Sequence, residues 1–168
     1  MSTEVTNSKS RRGQRMSSLP SKDLLLDACA GSIAEAHPLL QAAYELASLH
    51  EARCVAELGE LPEIDCARVR LIREIDRWTA RELPRPFAAA TLHTETLGMV
   101  VDRLAQFSVD ARTTLSGADT ECLRHHTWTR LAELSLAYAD LSHDLAARVR
   151  RIPESVTPHP EATEGGPR

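Results

Sequence analysis

The last third of the chain carries an apolar or small residue at every third or fourth position over several helical turns. In an α-helix this spacing places the side chains on one face, whereas a strand would alternate them at every second residue. The seam consists of Thr127, Leu131, Leu134, Tyr138, Leu141, Leu145, Val149 and Ile152. A seam of this length is typical of helices that pack side by side in a bundle. It predicts one long helix, from about residue 118 to about residue 151, which Pro153 ends.

Four earlier segments repeat the helical spacing and have suitable boundary residues. Ser and Thr cap helix N-termini through their hydroxyl groups, Pro is tolerated in the first turn, and Gly or Pro ends a helix. The four starts carry Ser21, Pro38, Pro62 and Thr94. Short connections between amphipathic helices make neighbouring helices antiparallel. The sequence therefore predicts an all-α fold, an antiparallel four-helix bundle with a short extra N-terminal helix, formed by residues 21–34, 38–59, 62–83, 94–116 and 118–151.

The composition indicates one helical domain with a tail at each end. Aromatic residues make up only 4% of the 168 residues, so the core has to be built mainly from Leu, Ala, Val and Ile. Residues 1–20 are rich in Ser, Thr and Asn and carry a basic cluster, whereas residues 153–168 are rich in Pro, Glu, Thr and Gly. Because neither segment can bury a core, both are predicted to be disordered. Residues 21–152 are assigned to the bundle.

Charge and cysteine content exclude several functional classes. A net charge of −4 provides no basic field for nucleic acid. No apolar run approaches the roughly 20 residues of a transmembrane helix, and the N-terminus lacks the apolar segment of a signal peptide. The four cysteines form no Cys-x-x-Cys pair and are interpreted as free thiols in a reducing compartment. We therefore expect a soluble cytoplasmic protein that binds neither nucleic acid nor membranes.

One helical segment, residues 93–104, combines an apolar stripe with polar residues. Thr94 is suited to cap this helix, which places Glu95 in its first turn. Glu95 and Asp102 fall on the side opposite to the stripe, next to Gly98. Because Gly98 lets a second helix approach closely, Asp102 would be partly enclosed and would need a partner. The arginines expected to pair with it are Arg73 and Arg77.

Arginines recur along one face of the preceding helix, at Arg70, Arg73, Arg77 and Arg81. Such a strip can bind a phosphate or carboxylate group, or it can be a solvated face held by ion pairs such as that of Glu74 with Arg77. No metal site is predicted, because Glu95 and Asp102 would lie about 10 Å apart along the helix axis and no Glu-x-x-His motif is present. Phosphate-binding loops and nucleophile motifs are also missing, so the cofactor is left undetermined.

Residues 93–104 resemble the signature of a bacterial family of unknown function, DUF4254. The family pattern is Asn-Ser-Glu-Thr-Pro-Gly-x-Ile-Ile-Asp-Arg-Leu, which the chain matches identically at Glu95, Thr96, Gly98, Asp102, Arg103 and Leu104. A second family motif, Asn-Asp-x-Ile-Glu-x-Ile-Asp, is similar to residues 69–76, with matches at Ile72, Ile75 and Asp76 and with Val69, Arg70 and Arg73 at its other polar positions. The resemblance covers residues 37–150. It implies a helical bundle and a biosynthetic setting, for glycans or secondary metabolites.

Two interpretations of the signature stay open. In the first, every residue serves folding: Glu95 favours the helix N-terminus, Gly98 permits close packing, and Asp102 pairs with an arginine. In the second, polar residues converge between helices as a pocket, where a carboxylate or an imidazole acts as base and arginines bind an anionic group. The predicted catalytic residues are Asp102, Glu95 and His50, and the predicted substrate-binding residues are Arg103, Asp76, Arg73 and His93.

These interpretations predict different functions. A polar pocket would bind or process a small polar, anionic molecule of the pathway, and the choice between binding and catalysis is left open. The alternative is a non-catalytic interaction or dimerisation module that docks on a pathway enzyme, suggested by the long seam and by Trp128, which lies off that seam. The expected partners are a small molecule, a second copy of the chain or a partner protein.

Overall fold

The structure, a computed structural model, describes residues 19–116 and 120–154. Within these ranges it contains five helices and one pair of short strands, and the prediction of a mostly helical protein is confirmed. The helices are α1 (Lys22–Cys29), α2 (Pro38–Val55), α3 (Leu61–Glu82), α4 (Leu97–Ser116) and α5 (Glu121–Ala146). The strands are β1 (Thr91–Leu92) and β2 (Arg150–Arg151). None of the helices in the described part of the chain is long and apolar enough to cross a bilayer.

Most of the predicted tails lie outside the described residues. Leu19 and Pro20, the last two residues of the predicted N-terminal tail, are described and pack onto the domain. Pro20 is buried, and its carbonyl oxygen accepts a hydrogen bond from the Tyr138 hydroxyl at 2.8 Å. The helical domain therefore begins slightly before residue 21.

Local capping residues start the first two helices as predicted. The Ser21 hydroxyl accepts a hydrogen bond from the Leu24 N–H at 3.3 Å, and α2 begins with Pro38 in its first turn. Helix α1 is shorter than the predicted 21–34, because the chain leaves the helix before Gly31, whose φ of 100° lies in the left-handed region. Helix α2 ends at Val55, before the glycine predicted to stop it.

Helix α4 is the central helix, since it packs against α1, α2, α3 and α5. A helix surrounded in this way has to be apolar or small on more than one face. Leu97, Val101 and Leu104 form the predicted stripe, whereas Ala105 and Val109 bury the second face. The small residues on that second face let the neighbouring helices come close.

The end of α5 differs from the prediction of a helix to about residue 151. The helix ends at Ala146, and Arg148 has a φ of 64°, which is incompatible with a continuing right-handed helix. Its guanidinium donates from Nε to the Arg85 carbonyl oxygen at 2.7 Å and stacks 4.2 Å from the centre of the Phe87 ring. These contacts turn the chain so that β2 pairs in parallel with β1.

Candidate functional site

Two side chains satisfy the first free backbone N–H groups of α4. The Thr96 hydroxyl accepts a hydrogen bond from the Met99 N–H at 3.3 Å. Asp76, a residue of α3, accepts one from the Gly98 N–H through Oδ1 at 2.8 Å. The predicted cap at Thr94 is wrong, because the helix begins two residues later, where the carboxylate from α3 meets its N-terminus.

Gly98 also sets how closely α4 approaches α3. A Cβ atom at this position would lie 2.9 Å from Oδ1 of Asp76 and would collide with the main-chain carbonyl oxygen of Ile72. The backbone of α3 therefore occupies the space that any larger residue at position 98 would need. The close approach predicted from this glycine is confirmed.

The Asp102 carboxylate lies between α2 and α3 and takes part in three hydrogen bonds. Arg68 donates from Nε to Oδ1 at 3.2 Å and from Nη2 to Oδ2 at 2.7 Å, which is a bidentate pair. The His50 ring places Nε2 at 2.9 Å from Oδ1. Only 12% of the Asp102 side chain is exposed. The predicted enclosure and arginine pairing are confirmed, but the partner is Arg68 and neither Arg73 nor Arg77.

These contacts determine the charge of Asp102. Burial raises the pKa of its carboxyl group, but the hydrogen bonds from His50 and Arg68 outweigh burial and the pKa is lowered overall. The hydrogen bond to Asp102 likewise raises the pKa of the Arg68 guanidinium. A carboxylate that is ionised and already accepts these hydrogen bonds is poorly suited to take up a proton. The geometry instead suits a carboxylate that links three helices.

The network reaches the surface through Asp65. Arg68 donates from Nη1 to Asp65 Oδ1 at 2.9 Å, and Arg53 donates from Nε to the same oxygen at 3.2 Å. The hydrogen bond from Arg53, aided by that from Arg68, holds the pKa of Asp65 below its ordinary value. The network therefore has a buried end at His50 and an exposed end at Arg53.

The other predicted site residues lie apart from this network. Glu95 forms an ion pair with Arg103, and the His93 ring nitrogen Nδ1 lies 3.1 Å from the Glu95 carbonyl oxygen. Arg73 is exposed on α3. Among the described residues, none of these four side chains is hydrogen-bonded to Asp102. Their predicted catalytic and binding roles stay predictions.

A cavity of about 880 Å³ lies between the C-terminal end of α3, the end of α5 and the segment that contains β2. Of the seven predicted site residues, Asp76 lines it. Three arginines also line it, namely Arg85, Arg150 and Arg151. Sequence reasoning missed these arginines, because Arg85 lies in a connection between prolines and the other two were assigned to the end of the last helix. The only sequence feature that could have indicated these arginines is that they are basic residues close to helix ends.

The cavity offers carboxylate and guanidinium groups to a ligand. In residues 19–116 and 120–154, no three His, Cys, Asp or Glu side chains are placed to share a metal ion. Cys29 is buried away from the cavity, and burial raises the pKa of its thiol to about 12. Ion pairing and hydrogen bonding are the interactions that the residues lining the cavity supply most directly.

Comparison with known proteins identifies a family without an assigned activity. The sequence model of the family described as "Protein of unknown function (DUF4254)" matches residues 48–153, which confirms the family that the resemblance indicated, over a range that begins later than the predicted residue 37. The matched range contains the whole network from His50 to Asp102 and also residues 93–104. No curated protein and no solved structure matches the chain.

Proposed function

The chain belongs to the DUF4254 family, and we propose that it binds a small polar, anionic molecule in the cavity beside Asp76. The observation that carries this proposal is the set of three arginines, Arg85, Arg150 and Arg151, around one cavity. The planar guanidinium fork suits bidentate contacts with phosphate and carboxylate groups. A volume of about 880 Å³ lies within the range of small-molecule sites.

Three arginines and two acidic residues, Asp76 and Glu154, line the cavity, so its guanidinium groups outnumber its carboxylates by one. Arg150 is held in place by Asp144, which accepts from its Nε and Nη2 at 3.0 Å. Arg85 and Arg151 form no side-chain ion pair within the described part of the chain, so their charge is available to a ligand. The cavity is lined by Asp76 and not by Asp102, Glu95 or His50, and this favours binding over turnover.

Inorganic phosphate provides the direct test of anion binding. We expect the double variant Arg85→Gln/Arg151→Gln to weaken phosphate binding about tenfold, because it removes two guanidinium groups from the cavity. Binding is measured by nuclear magnetic resonance titration at constant ionic strength. The control is Arg73→Gln, which removes an exposed arginine that does not line the cavity. Equal affinity of the double variant and the wild type would contradict the proposal.

The arrangement of the helices, the cellular location and the pathway are part of the same proposal. We propose that the five helices form an antiparallel four-helix bundle with α1 as the extra helix, and that the protein works in the cytoplasm in a biosynthetic pathway. The short connection between α2 and α3, which also pack against each other, supports an antiparallel arrangement of these two helices. The resemblance to the family's signature supports the pathway.

A second candidate function is self-association through the outer face of α5. Trp128 and Leu136 are 41% and 58% exposed, and Ala132 lies between them at helical spacing. In an antiparallel pair of α5 helices, Leu136 of one copy would face Ala132 of the other, and Trp128 would lie opposite Asp140, so the large Leu136 meets a small side chain. This complementarity supports a second copy of the chain as the partner.

Sedimentation equilibrium tests this second function. The wild type is expected to dimerise, and Trp128→Glu to shift the equilibrium towards monomer at least tenfold, because the contact would have to bury a charge. Leu58→Glu is the control, since Leu58 is 87% exposed and lies outside α5. A monomeric wild type at millimolar concentration would exclude this function.

A further inference from the structure

Asp76 is a buried carboxylate without a cation beside it. The residue is 7% exposed, yet it forms no ion pair with any Lys, Arg or His in residues 19–116 and 120–154. Its Oδ1 accepts the Gly98 N–H at 2.8 Å, while Oδ2 accepts no hydrogen bond from the described residues. Because Asp76 lines the cavity, the oxygen available to a ligand is Oδ2.

Resting on the proposed function, we infer that the ligand carries an ammonium group that binds Oδ2 of Asp76 and an anionic group that binds the arginines. The substrate class is therefore zwitterionic: an amine combined with a phosphate or a carboxylate. An ionised carboxylate accepts hydrogen bonds and cannot donate them, so the oxygen that faces the cavity can accept a donor from a ligand. A positively charged donor also neutralises a buried charge that no side chain of the described residues pairs.

The surroundings of Asp76 leave this donor to the ligand. The hydroxyl group that α3 contributes to the described cavity lining belongs to Thr79, and it donates to the Ile75 carbonyl oxygen at 2.8 Å. The guanidinium of Arg150, which also lines the cavity, is held by Asp144 at 3.0 Å. The N-terminus of α4 stabilises the charge only on the side of Oδ1. The side of Oδ2 is the unpartnered side.

The two charged ends of the site lie on different walls of the cavity. Asp76 is supplied by α3, whereas Arg150, Arg151 and also Glu154 are supplied by the C-terminal segment and Arg85 by the connection after α3. A ligand that spans the cavity can therefore direct its amine to one wall and its anionic group to the other. A purely anionic ligand would leave the carboxylate unpaired and would be repelled by it.

Three phosphate monoesters that differ at one end test the inference. O-phosphoethanolamine carries an ammonium group, 2-hydroxyethyl phosphate a neutral hydroxyl group, and ethyl phosphate neither. We expect O-phosphoethanolamine to bind at least tenfold more tightly than ethyl phosphate, with the hydroxyethyl ester between them, because a hydrogen bond between charged groups is stronger than a neutral one. Affinities are measured by isothermal titration calorimetry on the full chain at constant ionic strength.

Two variants assign the preference to Asp76. Asp76→Asn keeps a carbonyl oxygen that can accept the Gly98 N–H and loses the negative charge, so the affinity ratio of O-phosphoethanolamine to ethyl phosphate should fall to about one. The matched control Asp140→Asn changes an exposed carboxylate of α5 that does not line the cavity and should leave the ratio unchanged. Should Asp76→Asn fail to fold, the ratio measured on the wild type decides whether the ammonium group of the ligand is recognised.

The outcomes separate this inference from the proposed function. Equal binding of O-phosphoethanolamine and ethyl phosphate would overturn the inference that the ligand carries an ammonium group. The proposal of anion binding would then still stand. Equal binding of O-phosphoethanolamine and 2-hydroxyethyl phosphate overturns the requirement for a positive charge. If none of the three esters binds, the proposed function fails together with the inference.

Discussion

Replacing Asp102 by alanine is expected to lower the free energy of unfolding by about 3 kcal/mol, because it leaves Arg68 and His50 partly or fully buried without their acceptor. Removing one partner of a buried ion pair costs far more than the pair itself contributes, since the remaining charge has been taken out of water. About a fifth of the Arg68 side chain is exposed, at 21%, which places the expected loss at the lower end of the range for buried pairs.

Urea denaturation of a double-mutant cycle measures this effect. The variants are Asp102→Ala, Arg68→Met and the combination of both. We expect the combined variant to lose less than the sum of the two single losses by at least about 1 kcal/mol, because neither charge is then left alone. Asp140→Ala, an exposed substitution, is the control and should lie within about 0.5 kcal/mol of the wild type. A loss below about 1 kcal/mol for Asp102→Ala would contradict the assigned role of the network.

The same variant has a defined dependence on pH. The pKa of Asp102 is lower in the folded protein than in the unfolded chain, so its ionisation stabilises the fold above the unfolded value of about 4. This stabilisation is lost as the pH falls through the folded pKa. The difference in unfolding free energy between the wild type and Asp102→Ala should therefore shrink as the pH falls below about pH 4.

The arginine that pairs with Asp102 could not be identified from the sequence. Arg68 lies four residues after Ile64 and three before Leu71, so it occupies a position of the apolar stripe of α3. The sequence shows that an arginine in such a stripe has to find a carboxylate, but it does not show which one. The exposed Arg73 was the more conspicuous candidate because it belongs to a regular strip of arginines. Only the packing of α3 on α4 decides between them.

The C-terminal segment shows a different limit. The 3–4 spacing continues through Val149 and Ile152, yet the helix ends at Ala146 and Val149 is 48% exposed. What ends the helix is the left-handed conformation of Arg148, held by contacts to a connection more than 60 residues earlier in the chain. Since this segment provides two of the arginines of the cavity, the candidate site could not be assembled from local patterns.

The polar and small residues within residues 93–104 are explained mainly by how α4 is held. Thr96 caps the helix, Gly98 allows the contact with α3, and Asp102 joins α4 to α2 and α3. The cavity begins where this scaffold ends, at Asp76, which accepts the Gly98 N–H and also lines the cavity. In the proposed function, Asp76 serves both the packing of α4 and the binding of the ligand, so a change at Gly98 should affect both.

Gly98→Ala is expected to lower the free energy of unfolding by about 2–3 kcal/mol, although alanine is the better helix former by up to about 1 kcal/mol. The added Cβ would collide with the Ile72 carbonyl oxygen and lie 2.9 Å from Oδ1 of Asp76. Because the obstacle is the backbone of α3, the two helices have to separate, and the hydrogen bond from the Gly98 N–H to Asp76 weakens as they do.

The direction of the change in unfolding free energy makes Gly98→Ala informative, because helix propensity and the close contact with α3 predict opposite signs. Gly59→Ala is the matched control, because a Cβ at that position meets nothing within 4 Å, and it should leave stability unchanged or raise it slightly. Both variants are compared by urea denaturation and by their affinity for O-phosphoethanolamine. We expect Gly98→Ala to weaken binding as well, since a displaced Asp76 no longer faces the ligand correctly. A Gly98→Ala protein as stable as the wild type would show that α3 and α4 do not meet as closely as the structure describes.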